Sequence, residues 1–218
     1  MKKTLLTLGL VSTLVLAGCT ASPPTPTTKP SGFLPDYALL KQVTPSPEGT
    51  QIYSYTAPNV KGQYHAVLVA PVVLYQGATA NGVTVQDISN AQADLQNGIQ
   101  QIVSKKMPIV TQPGFGVAQL NVAITGAEVN QEGMQPRNIM PISAAIKLAS
   151  VATGLNGKIP VMVVELKFTD SVNGRLLREI MTTISGDQFR TADTASQFTI
   201  LAQNWVKQAL EYSNAAKN

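Results

Sequence analysis

An enzyme needs a nucleophile, a base or a metal cluster, and this chain is sparing with all three. It contains one histidine, His65, and one cysteine, Cys19. His65 stands outside any metal-ligand spacing, and the chain has no HExxH pattern and no GxSxG elbow, so the residue reads as a structural or surface histidine. Gly154-Leu155-Asn156-Gly157-Lys158 has the outline of a phosphate loop, but it lacks the first glycine at the required distance and a Ser or Thr after the lysine. Gly114-Phe115-Gly116 is a fragment of a dinucleotide fingerprint with Gln119 in the place of the third glycine, and reads as a turn before a strand. Glu165, Asp170, Glu179 and Asp187 lie near one hairpin, and hydrolysis or calcium binding would require them to converge. Strand alternation places Glu165 among solvent-facing residues, which favours a solvated face. No catalytic residue, metal site or cofactor follows, and the expectation is a protein that is not an enzyme.

The thiol of Cys19 has a different chemistry open to it. Residues 1–18 begin with Met1-Lys2-Lys3, continue through a short apolar stretch and end in Leu16-Ala17-Gly18. A charged start, an apolar middle and small residues before the cut are the three parts of a secretory signal. The apolar stretch is short for a spanning helix, which takes about 20 residues. Leu16-Ala17-Gly18-Cys19 resembles the lipobox of bacterial lipoproteins. That resemblance implies cleavage between Gly18 and Cys19 and a diacylglycerol on the Cys19 sulfur. Thr20 after the cysteine, by the same resemblance, implies delivery to the outer membrane. With a single cysteine the chain can form no intramolecular disulfide.

Composition narrows the partners. Hydrophobic residues make up 44% of the 218 positions and charged residues only 13%, enough apolar material for the core of one domain under a polar-neutral exterior. The formal charge of +4 includes Lys2 and Lys3; without them 14 basic and 12 acidic side chains leave +2. Basic residues are scattered, with Lys105-Lys106 the one adjacent pair, so the electrostatic footprint of a nucleic-acid binder is missing. The expected partners are the membrane, through the N-terminal lipid, and an envelope protein; oligomeric state stays open.

The elements that position these residues follow from periodicity. Residues 19–31, the lipidated cysteine and a Pro/Thr-rich run with four prolines, form a tether; twelve extended residues reach roughly 35 to 40 Å at about 3.1 Å each. Residues 32–218 form the domain. Residues 67–75 read as a strand in which Pro71 demands a bulge or unpaired edge. Ile88, Ala91, Leu95, Ile99, Ile102 and Val103 recur at helical spacing, with Ser89 and Gln92 as a capping box and Pro108 as the stop. Alternation marks strands over 118–124 and 162–168, and Asn173-Gly174 joins the second to a strand over 176–184. Phe198, Leu201, Ala202, Trp205, Ala209 and Tyr212 form the stripe of a last helix capped by Thr194 and Gln197. The expected fold is α+β: a single mixed, mainly antiparallel sheet with two main helices packed on a face.

From Ser31 onward the domain resembles a Gram-negative lipoprotein family of unknown function. The likeness rests on Ser31-Gly32-Phe33-Leu34-Pro35-Asp36-Tyr37, on Tyr64 followed by a Val-rich strand ending in Pro71-Val72, on Gln112-Pro113-Gly114-Phe115-Gly116, and on Thr169-Asp170-Ser171-Val172-Asn173-Gly174. The resemblance attaches no catalytic residue to these motifs. Read as chemistry they are scaffold, with Phe33, Leu34 and Tyr37 suited to folding the tether's end onto the domain. Between 139 and 155 Lys147 is the only charged residue, and Ile139, Ile142, Ile146, Leu148 and Val151 are a candidate partner surface; the alternative is a helix packed on the sheet. The leading functional expectation is a non-enzymatic outer-membrane lipoprotein that docks onto envelope proteins. A carrier or sensor of a lipid or other apolar ligand is the alternative, requiring a cavity of roughly 300 Å³ or more. A carboxylate-dependent cell-wall hydrolase is the third.

Overall fold

Asn173-Gly174 joins two antiparallel strands as expected, but within a longer turn: Asp170 N–H donates to Arg175 O at 2.8 Å, Gly174 N–H donates to Asp170 O at 2.9 Å, and of the pair only Gly174 takes positive φ, +73°. A computed structural model describes residues 30–44, 46–131, 157–190 and 193–215. Gly18, Cys19, most of the tether, and Ile139, Ile142, Ile146, Leu148 and Val151 lie outside the described residues.

Among the described residues eight strands form one sheet: β1 (Lys41–Gln42), β2 (Thr50–Thr56), β3 (Ala66–Val69), β4 (Val73–Leu74), β5 (Ile109–Val110), β6 (Val117–Gln131), β7 (Lys158–Asp170) and β8 (Leu176–Ser185). Their order is β1-β2-β8-β7-β6-β3-β5, with β4 also on β6. The β1-β2-β8-β7-β6 block is antiparallel, whereas β3 and β4 run parallel to β6, and β5 runs parallel to β3. The sheet is therefore mixed and mainly antiparallel, and two helices, α1 (Val85–Ser104) and α2 (Thr194–Ala215), cover one face. Alternation decides that face. Leu120, Val122 and Ile124 of β6 and Met162, Val164 and Leu166 of β7 meet Ile88, Leu95 and Ile99 of α1 and Phe198, Leu201 and Trp205 of α2. Full burial of such a side chain contributes about 1.5 to 3 kcal/mol.

Four local features differ from the sequence reading. The strand expected over 67–75 is two strands, because Pro71 has no N–H for the ladder. The backbone leaves the sheet at Val72, whose N–H donates to Gln96 Oε1 at 2.6 Å and whose carbonyl accepts from Gln92 Nε2 at 2.6 Å. Helix α1 starts earlier than Ser89: Thr84 and Asp87 form the capping box, so an aspartate rather than Gln92 closes it. On α2, Thr194 is already helical, and Asp193 takes the capping role by accepting from Ser196 N–H at 3.1 Å. Finally β1, β2 and β5 are strands that periodicity does not mark. The sequence TQIYSYT of β2 alternates, but both of its faces carry large side chains, so it lacks the apolar/polar contrast that marked β6 and β7.

Candidate functional site

The face of the sheet away from the helices carries Tyr53 on β2, Met181 and Glu179 on β8, Val163, Glu165 and Lys167 on β7, and Ala123 on β6. Residues 31–40 run across it. Phe33, Leu34 and Leu40 are buried against Tyr53, Ala123, Val163 and Met181, and a 3-10 turn at Tyr37–Leu39 is capped by the Asp36 side chain. The folding of the tether's end onto the domain, expected of Phe33, Leu34 and Tyr37, is thus present.

Glu165 is not on a solvated face. It is 2% exposed, because residues 31–40 cover the positions that alternation turned away from the helices. Tyr37 OH donates to Glu165 Oε2 at 2.7 Å and Ser31 Oγ donates to the same oxygen at 3.0 Å, while Ser31 Oγ and Tyr37 OH lie 2.8 Å apart. Three oxygens close a triangle. An ionised Glu165 leaves two hydroxyl hydrogens for three edges, and a protonated carboxyl supplies the third. Glu179 is fully buried on the neighbouring strand, accepting from Asp36 N–H at 3.4 Å. Lys167 Nζ donates to the Phe33 carbonyl at 3.0 Å and stands 4.5 Å over the Phe33 ring, whose edge meets Tyr75.

Burial governs the protonation of this cluster. It lifts the Glu165 carboxyl above its ordinary range, against the hydrogen bonds from Tyr37 and Ser31. It lifts Glu179 as well, aided by the charges of Asp36 and Glu165 and opposed by the Asp36 N–H and Lys167. The Tyr37 hydroxyl is pushed up to about 12, by burial first. Two carboxyls do come together, as a carboxylate enzyme would require, but under residues 31–40 rather than in a cleft. Asp170 and Asp187 do not join them: Asp170, half-buried, ends β7 at the hairpin, and Asp187, exposed, lies two residues beyond β8.

A second constellation forms at the hairpin tip. Gly114 N–H donates to Ser171 Oγ at 3.1 Å, Ser171 Oγ returns a bond to the Gly114 carbonyl at 3.1 Å, and Ser171 N–H donates to Val117 O at 3.1 Å. Asp170 accepts from Tyr64 OH at 2.9 Å and from Val172 and Asn173 N–H groups at 2.9 and 3.1 Å; the backbone donors, with Tyr64, hold its carboxyl below the usual range. Arg175 bridges Tyr64 OH and Gln63. His65 is exposed, with its ring against Gly116, where φ is +72°. Gly114-Phe115-Gly116 is indeed a turn before a strand. On this pinned corner Phe115 is 97% exposed and Val172 68% exposed.

The helix face holds the third feature, a trough of about 370 Å³ between α1, α2 and strands β2, β7 and β8. This exceeds the roughly 300 Å³ set for an apolar-ligand site. Its walls include Ile52, Ile99, Phe168, Ile180 and Trp205. Sequence periodicity identified most of these as apolar positions, but not the space between the elements that carry them. Among the described residues no group of three or more His, Cys, Asp or Glu is placed to hold a metal, and no helix is long and apolar enough to cross a membrane.

Comparison with known proteins gives the lineage of this arrangement. The chain is 24% identical over 196 residues, 89% of its length and 87% of theirs, to the proteins named "Uncharacterized lipoprotein YdcL" of Escherichia coli K12 and O157:H7. Among solved structures it is similar to the PelC dodecamer of Paraburkholderia phytofirmans (16% identity, TM-score 0.35, 74% of this chain and 97% of that one). It is similar also to a putative neuraminyllactose-binding hemagglutinin homolog of Helicobacter pylori (8%, 0.40, 72% and 90%) and a minor lipoprotein of Acinetobacter baumannii (8%, 0.33, 68% and 94%). Residues 29–209 match the family described as "Protein of unknown function (DUF3313)", spanning the sheet, α1, most of α2 and the segment laid over Glu165, and the chain belongs to that family.

Proposed function

We propose that this chain is a non-enzymatic lipoprotein of the outer membrane, anchored through lipid on Cys19 after cleavage behind Gly18, whose domain docks onto an envelope protein. The E. coli relatives are named lipoproteins, which supports the anchor. The observation that carries docking is the hairpin corner, with an almost fully exposed Phe115 on a loop held by three hydrogen bonds with Ser171, and Val172 exposed after that serine. Exposed aromatics on pre-ordered backbone are the kind of residue that dominates interface energetics, since little entropy is lost when they bind. The sequence 139–155 supplies further contact surface in this proposal. The carboxyl pair lies beneath residues 31–40, which argues for a structural rather than a hydrolytic role.

A photo-crosslinking amino acid at position 115 in cells, compared with one at the exposed Gln101 on α1, tests the reading. A discrete protein adduct at 115, absent at 101 and lost with Cys19→Ala, is expected. Equal labelling at both positions, or none at 115, would sink the docking proposal, and membrane retention of Cys19→Ala would sink the anchor.

A further inference from the structure

Residues 31–40 lie on the sheet without joining its ladder, which begins with β1 at Lys41. Their polar ties to the sheet end on ionisable side chains: Ser31 and Tyr37 on Glu165, the Asp36 N–H on Glu179, and the Phe33 carbonyl on Lys167 Nζ. Other bonds stay within the segment, from Phe33 N–H to Ser31 Oγ at 3.1 Å, from Leu34 N–H to Tyr37 OH at 3.4 Å and from Leu40 N–H to the Tyr37 carbonyl at 3.3 Å. Strands β2, β8, β7 and β6 are bonded to one another along their lengths and do not need the segment to stay paired. Burial of Phe33, Leu34 and Leu40 has the ordering of the whole segment to offset, so the polar ties decide whether it stays down.

Those ties are short of hydrogens and of positive charge. The Ser31–Tyr37–Glu165 triangle has three edges and two hydroxyl hydrogens until the carboxyl brings a third. On the next strand Glu179 Oε1 accepts the Asp36 N–H, but its Oε2 is buried without a hydrogen-bond partner, a position where full negative charge is costly. Lys167 stands opposite Glu179 in the register, yet its ammonium is spent on the Phe33 carbonyl and ring. The other groups facing this pair are Asp36 and Tyr37 of the segment, Tyr53 and Tyr55 of β2, the neutral Asn121 and Ala123 of β6, and Tyr75 against Phe33; Glu128, farther along β6 opposite Val161, is held by Asn81. Ionising both glutamates would set three carboxylates, with Asp36, against one ammonium, and burial holds both toward the protonated form. We propose that residues 31–40 are a proton-dependent strap, which lies on the sheet while Glu165 and Glu179 carry protons and lifts off when they ionise, baring Tyr53, Ala123, Val163 and Met181. The freed residues lengthen the tether by roughly 33 Å at about 3.3 Å each. That added reach rests on the anchor at Cys19, whereas the lifting does not.

Amide hydrogen exchange reads the strap directly, because Phe33, Leu34, Asp36 and Leu40 each donate an N–H that lifting would free. The full mature chain, carrying Cys19→Ala to leave off the lipid, would be followed by mass spectrometry at pH 5 and pH 8, with rates corrected for intrinsic exchange. Peptides covering 31–40 are expected to exchange about tenfold faster at pH 8, with β7 and β8 unchanged. The double variant Glu165→Gln, Glu179→Gln supplies hydrogens without charge and should keep the segment slow at both pH values. Should it fail to fold, the carboxyl carbon resonances of Glu165 and Glu179 in the parent decide, since the acceleration has to share its midpoint with one of them. Equal corrected rates at the two pH values overturn the strap, as does faster exchange that spreads through β7 and β8. So does an undiminished response in the folded double variant, or an acceleration whose midpoint matches neither carboxyl.

Discussion

Tyr37 and Glu165, 128 positions apart in the chain, share a hydrogen bond of 2.7 Å beneath a covered face of the sheet. Tyr37→Phe removes the shorter of two hydroxyl donors from a buried carboxyl. Unfolding in denaturant should show a loss of about 1 to 3 kcal/mol, the usual cost of leaving a buried acceptor short of a partner. Glu165→Gln, which keeps shape and acceptor, should lie closer to the parent. An unchanged midpoint in Tyr37→Phe would mean that residues 31–40 are held by Phe33, Leu34 and Leu40 alone.

The folded-state pKa values of Glu165 and Glu179 are both raised above the ordinary 4.5. A raised value means that the folded form binds the proton more tightly than the unfolded chain does. The stability this confers is fully present below 4.5 and is lost as pH rises through the raised values. Asp170 and Asp193, with lowered values, act in the opposite sense and only at lower pH. The melting temperature should therefore rise as pH is brought down from 7 toward 5, and this slope should flatten in a Glu165→Gln, Glu179→Gln double variant. A slope of opposite sign would show that the two carboxyls are stabilised as anions.

Gly98 is buried where α1 crosses α2, and a Cβ there would run into the Val206 side chain. Gly98→Ala should cost about 1 to 3 kcal/mol through overpacking. In the Val206→Ala background the two Cγ atoms are gone and only the Cβ at position 206, 3.0 Å from the added methyl, remains, so the same change should cost less, helped by the roughly 1 kcal/mol that alanine gains over glycine within a helix. A double-mutant cycle measures the difference.

Gly174 and Gly116 have nearly the same backbone, φ +73° and +72°, but different surroundings. A Cβ on Gly174 meets nothing within 4 Å, whereas one on Gly116 runs into the His65 ring. Gly174→Ala should cost only the left-handed backbone penalty of roughly 1 to 2 kcal/mol. Gly116→Ala should cost more and should displace Phe115, lowering crosslinking from that position. Calorimetry on the pair separates backbone strain from steric conflict.

Much of this was legible from patterns with a single competing signal. The Asn173-Gly174 turn, the alternation through β6 and β7, and the stripe of α2 each point one way. The face that holds Glu165 was not legible, because strand alternation assigns a residue to a side of the sheet without saying what covers that side. Its cover, residues 31–40, has no periodicity of its own, and its buried side chains are scattered among Gly32, Pro35 and Asp36. The motif that contains it carried a family resemblance, but only the fold shows that Ser31 and Tyr37 serve a glutamate more than a hundred residues away. Nor could the trough be read, since it exists in the gap between elements that periodicity describes one at a time.

The crossing of residues 31–40 also sets a mechanical path. Traction on an anchored N-terminus would reach the domain at Ser31, on Glu165 of β7, which is the middle member of the seven-strand order, and would pass to Glu179 of β8 before arriving at the β1 edge. Load therefore enters at the centre of the sheet, across its strands, where β7 is bonded along both sides, and the weakly held two-residue β1 is spared the first share of the strain.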